Sequence, residues 1–298
     1  MRFNYKILFN SPDSANRIGS LIMVFSMAAF AIEDSLIKIT SEELPLGQIL
    51  LFIGLGGTLL FTLLALINKD KLLTPELLSW PMQARILMEL IGRIFYSLAL
   101  ALTPLSSTTI ILQATPIVVV VGAVVFFGEK VTLIRWFAVF VGMLGVTIIV
   151  GPGDETFSVL SILAVIGMLG FALRDLASRA SPKSLGIFVL GVHGFLSLTL
   201  AGGLLSFFSS SPFIRPDGEM VYFLVVTTLA GMAGYASLMK AMRIGDVSAI
   251  TPFRYSRLLF GVSIGLFFFG EELTFSVIVG SIFIVFSSFF LFFVERRV

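Results

Sequence analysis

The 298-residue sequence contains no cysteine and a single histidine, His193. Without thiols there can be no disulfide, no thiolate nucleophile, no iron–sulfur cluster and no Cys/His zinc site, and one imidazole cannot make a histidine cage. Charge is equally sparse: 13% of residues are charged against 57% hydrophobic, at a mean hydropathy of +1.04. Those proportions exclude a soluble globular body. The formal net charge is only +2, which gives no footprint for nucleic acid. No His-Glu-x-x-His pattern or convergent nucleophile and base is present, so neither metal nor organic cofactor is expected, and an intramembrane enzyme has little to work with. What is abundant is apolar length. A helix crossing a bilayer needs about 20 residues, and ten of them with short joints take up nearly the whole chain.

Apolar runs interrupted by charge, Pro or Asn/Asp clusters predict spans at 18–40, 45–67, 82–102, 105–127, 132–150, 157–178, 184–208, 220–242, 246–269 and 274–294. Two joints are tight, Thr103-Pro104 and Arg243-Ile244-Gly245, where proline or glycine does not favour continuing a helix. With the N-terminus in the cytoplasm, fifteen of the twenty basic residues, Arg85 and Arg174 among them, fall on the cytoplasmic side. Only Lys38 and Arg215 fall opposite, and Arg93, Arg254 and Arg257 lie inside spans. That asymmetry is the positive-inside pattern, and it predicts both termini in the cytoplasm of a multi-pass inner-membrane protein. Arg17 before an apolar stretch and Ala29-Phe30-Ala31 imitate a signal peptide, but the apolar segment runs on to Ile39.

The sequence repeats. Phe126-Phe127-Gly128-Glu129-Lys130-Val131-Thr132 recurs 142 positions on as Phe268-Phe269-Gly270-Glu271-Glu272-Leu273-Thr274. Phe30-Ala31-Ile32-Glu33-Asp34-Ser35-Leu36 recurs 141 positions on as Phe171-Ala172-Leu173-Arg174-Asp175-Leu176-Ala177, and Leu46-Gly47 as Leu185-Gly186. The unit is five spans long. An odd number of spans forces the second unit to enter from the opposite side, so the expected fold is all-α and integral to the membrane: ten transmembrane helices as two inverted five-helix repeats. The divisions are a cytoplasmic N-terminal segment 1–17, a first repeat 18–150, a linker 151–156, a second repeat 157–294 and a cytoplasmic tail 295–298. Inverted repeats suit alternating access.

Ten spans whose fourth and ninth helices each close on Phe-Gly-Glu resemble the drug/metabolite transporter superfamily, in its EamA-like branch. The closest likeness runs from Ala249-Ile250-Thr251-Pro252-Phe253-Arg254-Tyr255-Ser256 to Gly270-Glu271, with Gln113-Ala114-Thr115-Pro116 to Gly128-Glu129 as its counterpart. Arg174-Asp175-Leu176 and the Pro-Phe-Arg-Tyr run look most like a subgroup of bacterial permeases that includes S-adenosylmethionine uptake carriers. The resemblance implies a permease with a central cavity between the halves, and glutamates after the glycine that serve structure at the membrane edges.

Ionisable groups inside a span should face a cavity or a partner, because charge in hydrocarbon is costly. Arg254 lies roughly 12 Å, and Arg257 roughly 16 Å, beyond the start of the ninth span at Asp246, on one helix face behind Pro252. Their guanidinium forks suit a carboxylate or phosphate, or a structural partner such as Glu89. Glu89 and Arg93 are an i, i+4 pair of the third span, with Tyr96 a turn further. Arg93, Tyr96, Tyr235, Arg254, Tyr255 and Arg257 are therefore the substrate-cavity candidates. Glu89 and His193 are the proton-coupling candidates. Asp34 with Lys38, and Asp175 with Arg179, have the spacing of ion pairs that act as gates. Gly231 to Gly234 and Gly261 to Gly265 offer faces for close helix packing.

The function expected is secondary transport of a small polar metabolite, an amino acid or a derivative, through the lipid bilayer, with protons as the candidate coupling ion. The alternatives are a receptor or assembly factor that transports nothing and, behind it, an intramembrane enzyme. Substrate, direction and oligomeric state are not encoded in these patterns.

Overall fold

The computed structural model describes residues 12–102, 111–150, 160–209, 211–268 and 275–294. Among them there is no strand. The long helices are α1 (Pro12–Thr40), α2 (Leu46–Ile67), α3 (Trp80–Leu102), α4 (Thr115–Phe127), α5 (Leu133–Val150), α6 (Ser161–Ala180), α7 (Ile187–Phe208), α8 (Gly218–Ile244), α9 (Ser256–Phe268) and α10 (Phe275–Val294). The Thr103-Pro104 joint, the 151–156 linker, Glu271 and both terminal segments expected from the sequence lie wholly or largely outside the described residues.

Two elements depart from the expected spans, both at a Thr-Pro pair. The fourth is interrupted by a turn at Gln113-Ala114, and α4 starts at Thr115. The ninth begins as a short helix, Val247–Ile250, tightens into a 3-10 turn over Thr251–Tyr255, and resumes as α9. Proline has no N–H to give to the preceding turn, so the helix changes its winding there. The Phe-Gly-Glu ending of α4 has its own cause. Gly128 adopts φ 63°, and its N–H reaches Val124 O at 3.1 Å while Glu129 N–H reaches Ala123 O at 3.2 Å. That is a glycine-dependent helix terminus, in which the left-handed residue turns two backbone donors onto the last carbonyls. Gly245 is different: its φ is −111°, and it is small because a Cβ would lie 2.5 Å from the Asn16 side chain.

Four helices, over 14–40, 46–67, 187–208 and 218–244, are long and apolar enough to cross a membrane. Helices α3 and α6 have the length but carry Arg85, Glu89 and Arg93, or Arg174, Asp175 and Arg179. Leucines point outward, Leu55, Leu59 and Leu66 on α2 and Leu200 and Leu204 on α7, whereas those arginines and carboxylates of α3 and α6 face inward and most are buried. This inside-out distribution is what hydrocarbon as the surrounding solvent selects.

The helices pair as α1 with α8, α2 with α7, α3 with α6 and α5 with α10, and α9 and α4 lie against α1 and α6 respectively. If each helix is exchanged for the one five places along, α1·α8 becomes α6·α3 and α1·α9 becomes α6·α4, while α2·α7 and α5·α10 map onto themselves. The self-mapping pairs run antiparallel. On α2 and α7 a Cβ at Gly47 would meet Gly202 O at 3.1 Å and one at Gly54 would meet Thr199 N at 2.5 Å. On α5 and α10, Ser287 Oγ donates to Ala138 O at 2.6 Å and Gly145 abuts Gly280 O. The α3·α6 crossing is as close: a Cβ at Gly170 would stand 2.7 Å from Gly92 N. Small residues let backbones approach where dispersion, with no hydrophobic gain in lipid, must hold helices together. The small-residue face expected at Gly231 to Gly234 packs against α1, but at Gly261 nothing lies within 4 Å of an added Cβ.

Candidate functional site: a buried ion-pair network

Residues 82, 85, 89 and 92 of α3 recur at helical spacing and are all buried. This stripe brings Arg85 and Glu89 to the middle of the fold with Arg93 beside them. From α6, Arg174, Asp175 and Ser178 face it, from α8 Tyr235, and from the 3-10 turn before α9 Arg254.

Glu89, fully buried, is the hub. Arg174 Nη1 donates to its two oxygens at 3.0 and 3.2 Å, Arg93 Nε at 3.3 Å, and the Tyr235 hydroxyl at 2.8 Å. Arg174 Nε also donates to Asp175 at 2.8 Å, and Arg254 Nη1 donates to the other oxygen of Asp175. The result is an alternating line, Arg93, Glu89, Arg174, Asp175, Arg254, in which each interior charge has an opposite charge on either side. A buried charge survives in a low-dielectric interior only with such pairing and hydrogen bonding. Arg174 and Arg93 both stand over the Phe171 ring, at 5.1 and 5.6 Å from its centroid, which adds cation–π attraction.

Arg85 enters the network through Tyr235, whose hydroxyl accepts from Arg85 Nη2 and donates to Glu89. Its Nε donates to Ser178 Oγ at 3.0 Å and Nη2 to Leu190 O at 2.8 Å. A separate fork closes α9 onto α1: Arg257 Nε and Nη2 donate to the two oxygens of Asp34 at 2.7 and 2.6 Å. Asp34 is half exposed, with 50% of its side chain accessible, whereas Asp175 is wholly buried. Asp34 and Asp175 are equivalent positions of the two repeats, and the segment of Arg254 and Arg257 binds both.

The network draws in five of the twelve residues expected at the site, namely Glu89, Arg93, Tyr235, Asp175 and Arg254, and Arg257 and Asp34 form the adjoining fork. Tyr96 packs edge-on against Phe171, 5.7 Å between centroids. Tyr255 goes elsewhere: its hydroxyl donates to Val139 O at 3.2 Å, and its ring packs with Val146 and Ile284 between α5 and α10, because the 3-10 winding turns it away from Arg254. His193 Nδ1 lies 2.9 Å from Val189 O of its own helix and joins none of these contacts. The spacing-based pairing of Asp175 with Arg179 gives way to Arg174 and Arg254, while Arg179 donates to Met242 O at 3.2 Å. Asp34 is met by Arg257 from another helix. Tertiary partners win because the helices approach closely enough for side chains to reach across.

Arg85 and Arg174 correct the expectation that they lie at the cytoplasmic surface: they are 0% and 5% exposed. For Arg85 the signal was present, since it precedes Glu89 by one turn as Arg93 follows it by one. Glu33 is buried too.

At the end of the fold where α1 begins, a second polar group joins the repeats. Glu129, just past α4, accepts from the backbone N–H of Val247 at 3.0 Å and of Ser248 at 3.1 Å, and so caps the short helix before α9. Arg135 binds Asp246 at 3.0 Å, and Asn16 accepts from Asp246 N–H at 2.7 Å. Arg243 donates to the carbonyl of Leu185 at 2.7 Å and, more weakly, to those of Ser178 and Pro182.

Two segments, residues 17–151 and 159–293, each match the model of the EamA-like transporter family. A pseudopaline exporter of Pseudomonas aeruginosa is 26% identical over 278 residues, 90% of this chain and 93% of that one. A riboflavin transporter of Vibrio cholerae is 25% identical over 85% of each chain, and an S-adenosylmethionine uptake transporter of Rickettsia felis 24% identical over 69% of each. One solved crystal structure shares the fold at TM-score 0.79, covering 94% of this chain and 99% of its own at 18% identity.

Proposed function

The chain belongs to the EamA-like transporter family, a multi-pass membrane family of two repeats, and from that membership we propose that it is a secondary active transporter carrying a small polar metabolite, an amino acid or amino-acid derivative, by alternating access. All ten helices span the bacterial inner membrane in this reading, with both termini in the cytoplasm. Withdrawing Arg85 and Arg174 from the cytoplasmic count leaves thirteen basic residues there against Lys38 and Arg215, so the charge bias persists.

The observation that carries the reading is the buried line of alternating charges between helices of both repeats. Ion pairs in lipid are expensive to maintain, and a static scaffold would be equally or more stable with apolar residues of the same volume. Pairs that can exchange partners are useful to a protein whose halves move. Arg93, Tyr96, Tyr235, Arg254 and Arg257 line the path, and the guanidinium groups of Arg93, Arg254 and Arg257 receive the carboxylate of the substrate. Glu89, held by three donor residues, is the hub that keeps α3, α6 and α8 together, and the Asp34–Arg257 fork acts as the outer gate. The contacts of Glu129, Arg135 and Arg243 seal the cytoplasmic end.

Counterflow into proteoliposomes tests this. Labelled S-adenosylmethionine, riboflavin and mixed amino acids, each with unlabelled solute inside, provide a first panel drawn from the relatives and from the charge of the site. Saturable counterflow of at least one is expected. No counterflow across the panel, together with no thermal stabilisation of the purified protein by any member, would sink the substrate reading, since a ligand at 100 times its Kd stabilises by about 2.7 kcal/mol.

A further inference from the structure

The carboxylates of the network and its adjoining fork are well supplied with donors. Glu89 has three donor residues, Asp175 has two, and Asp34 has the fork of Arg257. Glu33 is the exception. It is 4% exposed, and among the described residues no hydrogen-bond donor reaches its carboxyl group. Its position follows from the face of α1 that meets α8: Ser26 Oγ donates to Gly234 O at 2.7 Å, and a Cβ at Gly234 would stand 2.9 Å from the Phe30 ring. One turn on, a Cβ at Gly231 would lie 2.8 Å from Glu33 Oε1. The carboxyl group therefore rests against Gly231 of α8, where an added side chain would have to displace the end of the Glu33 side chain.

The charged groups that act on it are Asp34 on its own helix, Arg93 and Glu89 on α3, and Arg257 on α9. From α8 it faces Gly231, which brings no charge. Both arginines are already committed, Arg93 to Glu89 at 3.3 Å and Arg257 to Asp34 at 2.6 Å, and Arg257 also stacks on Phe30 at 5.1 Å. An ionised carboxylate buried to this extent with no protein donor would have only the sliver of water that reaches its oxygens to offset the desolvation of its charge. Protonation removes that charge without any new partner.

Resting on the transporter reading above, we propose that Glu33 is a proton-carrying site of the transport cycle, holding the proton on its carboxyl group in this arrangement and releasing it to water when Arg93 or Arg257 turns to it from its present partner. In that step one O–H bond breaks, the proton leaves to solvent, and the carboxylate charge is matched by the incoming guanidinium. The partner exchange ties protonation to the movement of α1 relative to α3 and α9.

Infrared difference spectroscopy of the full-length protein in lipid nanodiscs, titrated with buffer alone, tests the site without any substrate. The parent should show the carbonyl stretch of a protonated carboxyl group that disappears as pH is raised. Glu33→Gln should lose that band, Glu33→Asp should shift it, and Asp34→Asn should keep it. Absence of the band from the parent, or its persistence in Glu33→Gln, overturns the proposal while leaving the transporter reading intact. Should Glu33→Gln fail to fold, Glu33→Asp decides, and an unshifted band there counts against Glu33. If the panel above yields a substrate, Glu33→Gln should retain its counterflow and lose accumulation driven by a pH gradient.

Discussion

Tyr235 uses its one hydroxyl twice, accepting from Arg85 and donating to Glu89. Replacement by Phe keeps the ring, its contact with Phe195 and the volume, but removes the bridge between two buried charges. Tyr235→Phe is expected to lower stability by about 1–3 kcal/mol, read as a fall in the thermal midpoint of the protein in detergent; an unchanged midpoint would mean that water replaces the hydroxyl. Arg254 offers a sharper division between structure and binding. Its loss leaves Asp175, wholly buried, with Arg174 alone. Arg254→Ala should therefore destabilise by about 1.5–3 kcal/mol, Arg254→Lys should fall between it and the parent because the charge stays and the fork goes, and adding Asp175→Asn to Arg254→Ala should restore part of the loss. Transport separates the roles. If it returns with stability in the double variant, Arg254 is a structural partner only; if it stays at least tenfold down, the guanidinium touches the substrate.

At the scale of elements, helix contact is set by where side chains are missing. An added methyl group at Gly170 would meet the backbone of Gly92, which cannot rotate away, so α3 and α6 must separate and the ion pairs between them must stretch. Gly170→Ala should cost about 1–3 kcal/mol. Gly261→Ala on α9 meets nothing within 4 Å and should be neutral or stabilising by up to about 1 kcal/mol, the ordinary helical preference for alanine. Thermal unfolding of both variants checks the contrast, and equal effects would show that the α3·α6 crossing is looser than drawn. The cap that Glu129 places on the helix before α9 has the same lesson. Its position after Gly128 belongs to one repeat, yet the amides it satisfies belong to the other.

For the molecule as a whole, the proposed inverted topology makes a prediction about sides. A reporter active only in the periplasm should work when fused after Gly153 or Ser211 and stay silent after Lys71 or Lys183. Activity after both Gly153 and Lys183 would remove α6 from the membrane and with it the inversion. Such a result would also strand Arg174 and Asp175, whose burial depends on α6 lying beside α3.

Periodicity along the chain was enough to read the helices, the two repeats and the family, because apolar length, Phe-Gly-Glu endings and the offset of about 140 residues are properties of neighbours in sequence. Helical spacing likewise placed Glu89 with Arg93, a contact that the fold retains. It could not say which of several i, i+4 pairs would form. Asp175 chose Arg254 and Arg174 over Arg179, and Arg257 reaches Asp34 from another helix, because such partners come within hydrogen-bond reach once glycine-lined crossings bring the backbones together. Nor could hydropathy distinguish an arginine at the membrane edge from one in the core: Arg85 and Arg174 lie within a few residues of loops, yet they turn inward onto Glu89, Tyr235 and Ser178. The direction in which a side chain leaves its helix, and what stands opposite, is decided by helix rotation and crossing, and those exist only in the folded molecule.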